Sequence, residues 1–234
     1  MGQPREVRRV GMLAPMQPEL QPIVRRLGME GDGSLYRGRA GAIEVVAMLT
    51  TIGMTAGAQA AQRILEHDVD WVMVVGIAGG VDRSVPIGGV IVPEVVIDRA
   101  TRSRFRPALA GNLTPRGTLS CGDELITGQA ELDAMAAEGV VAVDMETAAV
   151  AAVCDAAACP WSVFRGISDY AGEGLVDAAV FAMTRPDGTA DPEVIARYLE
   201  ENPDRRKVLA RLAHDANLAT EAAAAAAVDA CASF

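Results

Sequence analysis

Two acidic residues follow apolar segments of the chain, at positions where a carboxylate could do chemistry. Glu146 comes shortly after the apolar run 140–143, and Asp169 comes shortly after the run 160–167. In an open α/β sheet, ligands bind at the carboxyl ends of the strands. Burying a carboxylate there costs desolvation free energy, so its presence indicates that its charge has a function. Each acid taken alone also fits a role at a helix terminus or in a loop, but together with Glu19, which follows the first apolar segment, they favour a functional site.

Three acids without accompanying metal ligands are suited to hydrolysis by acid and base groups. One carboxylate can activate water, while another, kept protonated by burial, can donate its proton to a leaving group. Carboxylates also stabilise an oxocarbenium-like cation, which forms when a sugar loses its substituent. The four cysteines and two histidines do not show the spacing of a zinc site, so we expect no metal and no cofactor.

The composition restricts the partners and the location of the protein. The net charge of −10 argues against nucleic acid or an anionic membrane as a partner, because both require clustered basic residues. The longest apolar stretches, such as 69–81, are too short to span a bilayer. Residues 1–6 lack the apolar region of a signal peptide. We therefore expect a cytoplasmic protein that acts on a small molecule.

Apolar segments alternate with helical patterns along the chain and predict a sheet with helices on both faces. We expect a single domain over 1–234, with an extended helical segment from about residue 171. The predicted strands are 7–14, 35–39, 43–50, 71–75, 89–97, 116–120, 140–143 and 160–167. The predicted helices are one that reaches about residue 27, then 55–66, 123–137 and 146–157, followed by helices that start near 191 and 202 and by the alanine-rich tail 219–230.

The glycine-rich segment 76–80 is predicted to form a turn after a buried strand. Such a turn lets the backbone approach a ligand closely. It lacks the glycine spacing of a dinucleotide-binding fold. A dinucleotide-dependent oxidoreductase remains an alternative that rests only on this turn and on the alternation of strands and helices.

Six short motifs occur in an order that resembles the methylthioadenosine/S-adenosylhomocysteine nucleosidases, within the nucleoside phosphorylase superfamily. The resemblance spans about residues 7–170, and the ordered set is more specific than any of its parts. The motifs are Gly-Met-Leu-Ala-Pro-Met-Gln-Pro-Glu at 11–19, Thr-Ile-Gly at 51–53, Gly-Ile-Ala-Gly-Gly at 76–80, Ser-Cys-Gly-Asp at 120–123, Asp-Met-Glu at 144–146 and Arg-Gly-Ile-Ser-Asp-Tyr at 165–170.

The resemblance implies a fold, a reaction and a set of site residues. The fold would be a three-layer α/β/α sandwich around a twisted mixed sheet, assembled as a homodimer or a larger homo-oligomer. The reaction would cleave the N-glycosidic bond of a purine nucleoside. Asp169 would protonate the purine N7, Glu146 would bind a ribose hydroxyl beside Met145, and Glu19 would deprotonate the attacking water. Further binding residues would be Ile52, Ile77, Ala78, Gly79, Leu125, Ile126, Arg165 and Ser168.

Three departures from the family pattern bear on the reaction. Val74 stands where the phosphorolytic relatives carry an arginine for phosphate, and Ile77 stands where many relatives carry a hydroxyl. An anion in a dry site must be matched by charge or donors, so these departures favour water as the nucleophile and predict a hydrolase of a nucleoside such as methylthioadenosine or S-adenosylhomocysteine. A phosphorylase completed by an arginine from a neighbouring subunit stays open. Leu125 replaces a stacking aromatic, which leaves open a nucleoside-binding protein without catalysis.

Overall fold

A computed structural model describes residues 6–173, 175–176, 178–185 and 187–234. Residues 1–5, which belong to the segment judged for a signal peptide, lie outside this range. The strands are β1 Arg9–Ala14, β2 Glu30–Gly31, β3 Leu35–Ala40, β4 Ile43–Leu49, β5 Trp71–Gly80, β6 Val90–Ile91, β7 Val95–Asp98, β8 Arg104–Phe105, β9 Thr118–Cys121, β10 Val140–Asp144 and β11 Trp161–Tyr170. The helices are α1 Gln17–Leu27, α2 Met54–Leu65, α3 Gln129–Ala137, α4 Thr147–Ala156, α5 Ala178–Phe181, α6 Pro192–Glu201 and α7 Arg206–Cys231, with a 3-10 turn at Pro203–Arg205.

The strands form one mixed sheet in the order β2-β3-β4-β1-β5-β10-β9-β7-β8. The central strand β5 pairs in parallel with β1 and β11, whereas β10 pairs with the end of β5 in the antiparallel direction. β11 also pairs with the short strand β6. The ends of β1, β5, β10 and β11 therefore meet near the middle of the sheet.

Helices cover both faces of this sheet, as the alternating pattern predicted. One apolar core contains residues of α2 and α4 packed against the sheet. The other contains residues of α1 and α7. A sheet between two separate cores is the three-layer α/β/α arrangement expected from the sequence, and the predicted fold class is confirmed.

The helix α7 is divided along its length. Its buried residues all lie between Ala219 and Cys231, and most of them are alanines. This half can approach the sheet closely because Gly166 of β11 has no side chain: a Cβ there would lie 2.9 Å from the Cα of Ala219 and closer to its carbonyl oxygen. Over residues 206–218, α7 has no buried residue.

Several predicted boundaries were wrong. The segment 76–80 is not a turn, because it continues β5 and pairs with both β10 and β11. The predicted strand 89–97 is two short strands separated at Pro93, which lacks the N–H that a ladder needs. The predicted helix 123–137 begins only at Gln129, and Asp123 instead accepts a hydrogen bond from the N–H of Met54.

Among the described residues, no helix is both long and apolar enough to cross a membrane.

Candidate functional site

The twelve residues predicted to form the site all line one cavity of about 780 Å³. Its floor is formed by Pro15 and Met16, which follow β1, by residues 77–79 of β5 and by Ser168 and Asp169 of β11. Met145 and Glu146 reach it from the end of β10, which is antiparallel to β5. The expectation of an edge formed by the ends of parallel strands is therefore correct for β1, β5 and β11, but not for β10.

Arg165 is the fully buried centre of the polar side of the cavity. Its Nη2 atom lies 2.6 Å from Asp144 Oδ2 and 3.1 Å from Glu146 Oε2, and its Nε atom donates to Asp144 Oδ2 at 2.9 Å. Glu19 Oε1 lies 3.8 Å from Nη1. Burial by itself lowers the pKa of Arg165, but these three carboxylates outweigh burial and raise it. One permanent cation thus faces three acids.

Glu19 is held by backbone donors at both of its carboxylate oxygens. It lies in the first turn of α1, where its Oε2 accepts from the N–H of Met16 at 2.7 Å. Its Oε1 accepts from the N–H of Ile77 in β5, also at 2.7 Å. Burial raises the pKa of Glu19 to about 8, although Arg165 and the N–H of Ile77 lower it. The carboxylate therefore caps its own helix and is also fixed at the cavity.

Glu146 lies at the N-terminus of α4 and points back into the cavity. Its Oε1 accepts from the N–H of Gly53 at 3.0 Å, and its Oε2 accepts from Arg165. Burial raises its pKa, with a further increase from the charge of Asp144 and a decrease from Arg165. Asp144 in turn accepts from the hydroxyl of Thr147. Asp144 and Gly53 were not predicted as site residues.

The close approach of Glu19 and Arg165 depends on Gly76. A Cβ built at this position would lie 2.7 Å from Arg165 Nη1 and closer still to Glu19 Oε1. A glycine inside a strand often marks a place where another group comes close. This glycine was predicted to lie in a turn that lets the backbone approach a ligand, whereas in the structure it makes room for two side chains of the site.

Asp169 lies at the end of β11 beside Ser168, apart from the group around Arg165. The hydroxyl of Ser168 donates to Asp169 Oδ1 at 2.6 Å. Burial raises the pKa of Asp169, the hydrogen bond from Ser168 lowers it, and the charge of Glu173 raises it further. The protonated form of Asp169 is therefore more favoured than that of an aspartic acid exposed to solvent.

The remaining predicted residues form apolar parts of the cavity wall. Ile52, Ile77, Ala78 and Gly79 line it from the sheet side. Leu125 is 39% exposed, while Ile126 is 8% exposed, and both lie in the segment that precedes α3. Val74, which replaces a phosphate-binding arginine in the family pattern, is fully buried in β5 and does not line the cavity.

The C-terminal segment forms the opposite wall of the cavity. Residues from α5, α6 and the first half of α7 line the same cavity as the acids. A hydrogen bond joins this segment to the start of α1: the N–H of Gln17 donates to the carbonyl oxygen of Asp187 at 2.8 Å. In the described part of the chain, no three His, Cys, Asp or Glu side chains are arranged so that they could hold a metal ion together.

Comparisons with known proteins agree with this architecture. A family model described as the phosphorylase superfamily matches residues 9–112 and 109–214. A solved methylthioadenosine/S-adenosylhomocysteine nucleosidase from Neisseria meningitidis, in complex with methylthio-immucillin-A, superposes with a TM-score of 0.71 at 18% identity, covering 97% of this chain and 100% of the other.

Two further solved structures are similar at the same level. An S-adenosylhomocysteine nucleosidase from Streptococcus pyogenes, in complex with 5-methylthiotubericidin, has a TM-score of 0.71 at 18% identity and covers 96% of each chain. A futalosine hydrolase from Helicobacter pylori has a TM-score of 0.64 at 20% identity, covering 85% of this chain and 98% of the other. These similarities concern the fold.

Proposed function

The chain belongs to the phosphorylase superfamily, and we propose that its site hydrolyses the N-glycosidic bond of a purine nucleoside and releases the free base. The observation that carries the proposal is the charge of the cavity. Three buried carboxylates surround a single buried arginine, and a fourth acid, Asp169, lines the same cavity. The reaction passes through a cationic sugar, which such a site stabilises.

Asp169 is the general acid in this proposal. Burial raises its pKa, which favours the protonated form, and Ser168 fixes the carboxyl group through Oδ1. The proton passes from Oδ2 to N7 of the purine as the glycosidic bond breaks. The electron pair of that bond then remains on a neutral base, which leaves more readily than an anion.

Glu146 and Met145 hold the sugar. Glu146 Oε2 and Oε1 are oriented by Arg165 and Gly53, so the carboxylate is fixed before the substrate arrives. It accepts a hydrogen bond from a ribose hydroxyl, and its negative charge stabilises the positive charge that develops on the ribose. Met145 packs against the sugar ring.

Glu19 and Arg165 position the water. Among the described residues, Arg165 Nη1 is buried and makes no hydrogen bond, although Glu19 Oε1 lies only 3.8 Å away. A water molecule near these two atoms would accept from Nη1 and donate to Glu19. Glu19 takes its proton as the oxygen attacks C1′ of the ribose.

The charge balance favours water over phosphate as the nucleophile. Arg165 is already matched by Asp144, Glu146 and Glu19, so it has no positive charge to spare for a second anion. When Glu19 is ionised, as its role as a base requires, a phosphate entering this position would meet net negative charge in a buried environment, which is unfavourable.

The experiment is to measure base release from adenosine, inosine, methylthioadenosine, S-adenosylhomocysteine and futalosine, each with and without inorganic phosphate. The last three are named for the similar solved proteins. We expect release without phosphate, and a free sugar that keeps its C5′ substituent, rather than a sugar 1-phosphate, as the second product. Release that requires phosphate would establish a phosphorylase instead, and binding without release would establish a nucleoside-binding protein.

An Asp169→Asn variant tests the acid. We expect its kcat to fall by about 10²- to 10⁴-fold, the usual contribution of a positioned acid or base. Asp133→Asn makes the same chemical change at an exposed position of α3 and serves as the control. Near-normal kcat in Asp169→Asn would exclude Asp169 as the acid.

A further inference from the structure

Two of the four cysteines lie at the same end of α4, away from the cavity. Cys154 is in the last turn of the helix, and Cys159 lies in the segment that leads from the helix into β11. Both are thiols in the structure. Neither of them lines the cavity, so the proposed function does not use them.

The end of α4 has the hydrogen bonds of a Schellman motif. The N–H of Cys159 donates to the carbonyl oxygen of Cys154 at 3.0 Å, and the N–H of Ala158 donates to that of Asp155 at 3.1 Å. Ala158 has a φ of 51°, the left-handed conformation that this motif requires just after the helix. The two residues that the first of these bonds joins commonly bring their side chains into contact, and in this chain both are cysteines.

The hydrogen bond also limits the distance between the two Cα atoms. A Cα atom lies about 2.4 Å from the carbonyl oxygen of its own residue and about 1.5 Å from its own nitrogen. With 3.0 Å between the oxygen of Cys154 and the nitrogen of Cys159, the two Cα atoms are at most about 6.9 Å apart, and closer where the bond is bent. Disulfides usually form at Cα separations of about 4.4–6.8 Å. The backbone therefore holds the pair at a distance that a disulfide can bridge.

The two thiols share one environment. Both side chains belong to the same apolar cluster, in which Cys154 is fully buried and Cys159 packs against it from a partly buried position. Burial raises the pKa of the Cys154 thiol, and the charge of Cys159 raises it further. An effect of one thiol on the other agrees with the short separation that the backbone imposes.

The two thiols differ in their access to solvent. Ala158 and Pro160, on either side of Cys159, are exposed. The Sγ atom of Cys159 donates to the carbonyl oxygens of Pro160 and Val69 at 3.6 and 3.9 Å. A thiol is a weak donor, so these contacts oppose a reaction of Cys159 only slightly. A small molecule from solvent therefore meets Cys159 before it meets Cys154.

We propose that Cys154 and Cys159 form a modification site, a dithiol that low-molecular-weight disulfides convert into an intramolecular disulfide. The thiolate of Cys159 attacks one sulfur of the reagent, so that a mixed disulfide forms and one small thiol leaves. The thiolate of Cys154 then attacks the sulfur of Cys159, and the second small thiol leaves. The protein loses two electrons and two protons, and the reagent is reduced to two thiols. This inference is independent of the proposed function.

The test incubates the whole protein with glutathione disulfide, blocks the remaining thiols with iodoacetamide and digests the protein with a protease that cleaves before aspartate. Cleavage before Asp155 puts Cys154 and Cys159 on separate peptides, 144–154 and 155–168. We expect mass spectrometry to find these peptides joined, and to find them separate after reduction with dithiothreitol. Unjoined peptides, with or without glutathione on Cys159, would overturn the proposal.

Serine variants test the order of the two steps. In Cys154→Ser we expect glutathione to remain on Cys159, because the second thiol is missing. In Cys159→Ser we expect no glutathione on the buried Cys154. Cys231→Ser removes a buried cysteine of α7 and is the control, in which the two peptides are joined as in the unchanged protein. Glutathione on Cys154 in the Cys159→Ser variant would contradict the assigned order.

The disulfide fastens the end of α4 to the segment that enters β11. It lies at the far end of a helix of ten residues, which is about 15 Å long, from Glu146. Closing a loop restricts the unfolded chain, so we expect glutathione disulfide to raise Tm by at least about 3 °C. The Tm of Cys159→Ser should not respond. An unchanged Tm in protein whose two peptides are joined would overturn the stabilising role.

Discussion

Glu19 is bound by backbone N–H groups at both carboxylate oxygens, yet burial raises its pKa to about 8. The group works as a base only when it is ionised. As the pH falls below about 8, a growing fraction of Glu19 is protonated, so we expect kcat/KM to decrease towards low pH. Asp169 acts as an acid only when it is protonated. We therefore expect kcat/KM to decrease also as the pH rises past the pKa of Asp169.

A Glu19→Gln variant is expected to lose the low-pH decrease together with about 10²- to 10⁴-fold of kcat/KM. The measurement is kcat/KM from pH 5 to pH 10, a range that extends to both sides of the pKa of about 8 of Glu19. Glu30→Gln removes an exposed carboxylate of β2 and is the matched control. A decrease that persists near pH 8 in Glu19→Gln would show that another group controls it.

The sequence predicted which residues meet at the cavity but not how they hold one another. Glu19, Glu146 and Asp169 were found because each is an acid that follows an apolar run. The buried contact between Arg165 and Asp144 has no such local signal, because it joins residues on different strands. The donors Gly53 and Ile77 act through backbone N–H groups, which every non-proline residue possesses.

At the scale of elements, the docking of α7 on β11 depends on Gly166. A side chain there would meet the backbone of Ala219, which cannot move as easily as a side chain. We expect Gly166→Ala to lower the free energy of unfolding by about 1–3 kcal/mol, the usual cost of overpacking. Urea denaturation followed by circular dichroism measures this difference.

Gly128→Ala is the control for that substitution. A Cβ at Gly128 would lie 4.0 Å from its nearest neighbour, Glu131 Cβ, and the backbone there has φ of −82°. We expect a change within about 0.5 kcal/mol. Equal unfolding free energies for the two variants would mean that α7 adjusts its distance to the sheet at no cost.

The elements with a regular apolar pattern were predicted well, and the errors have physical causes. The bounds of α1, α2 and the hairpin of β3 and β4 agree with the prediction to within about two residues. The segment 76–80 was assigned to a turn because of its glycines, but pairing with strands on both sides keeps it extended. Pairing between strands decides that 76–80 is a strand and not a turn, and this pairing cannot be read from a single sequence.

For the whole molecule, self-association stays a prediction. Three leucines, Leu109, Leu113 and Leu125, are 64%, 44% and 39% exposed. Exposed leucines that become buried in a second copy would stabilise a homo-oligomer. We expect light scattering after size-exclusion chromatography to give at least twice the mass of one chain, and Leu109→Glu to shift the mass towards that of one chain. Leu218→Glu, at a leucine of α7 that is 45% exposed, is the control.

The division of α7 has a consequence for how such a protein could acquire new substrates. All the buried residues of α7 lie within 219–231, whereas none of residues 206–217 is buried and seven of them line the cavity, so mutations in the outer half do not disturb the buried packing of the chain. The outer half of α7, together with α6, can therefore accumulate changes at little risk to folding. Selection on this short stretch could redirect the site to a different compound while its acids stay where they are.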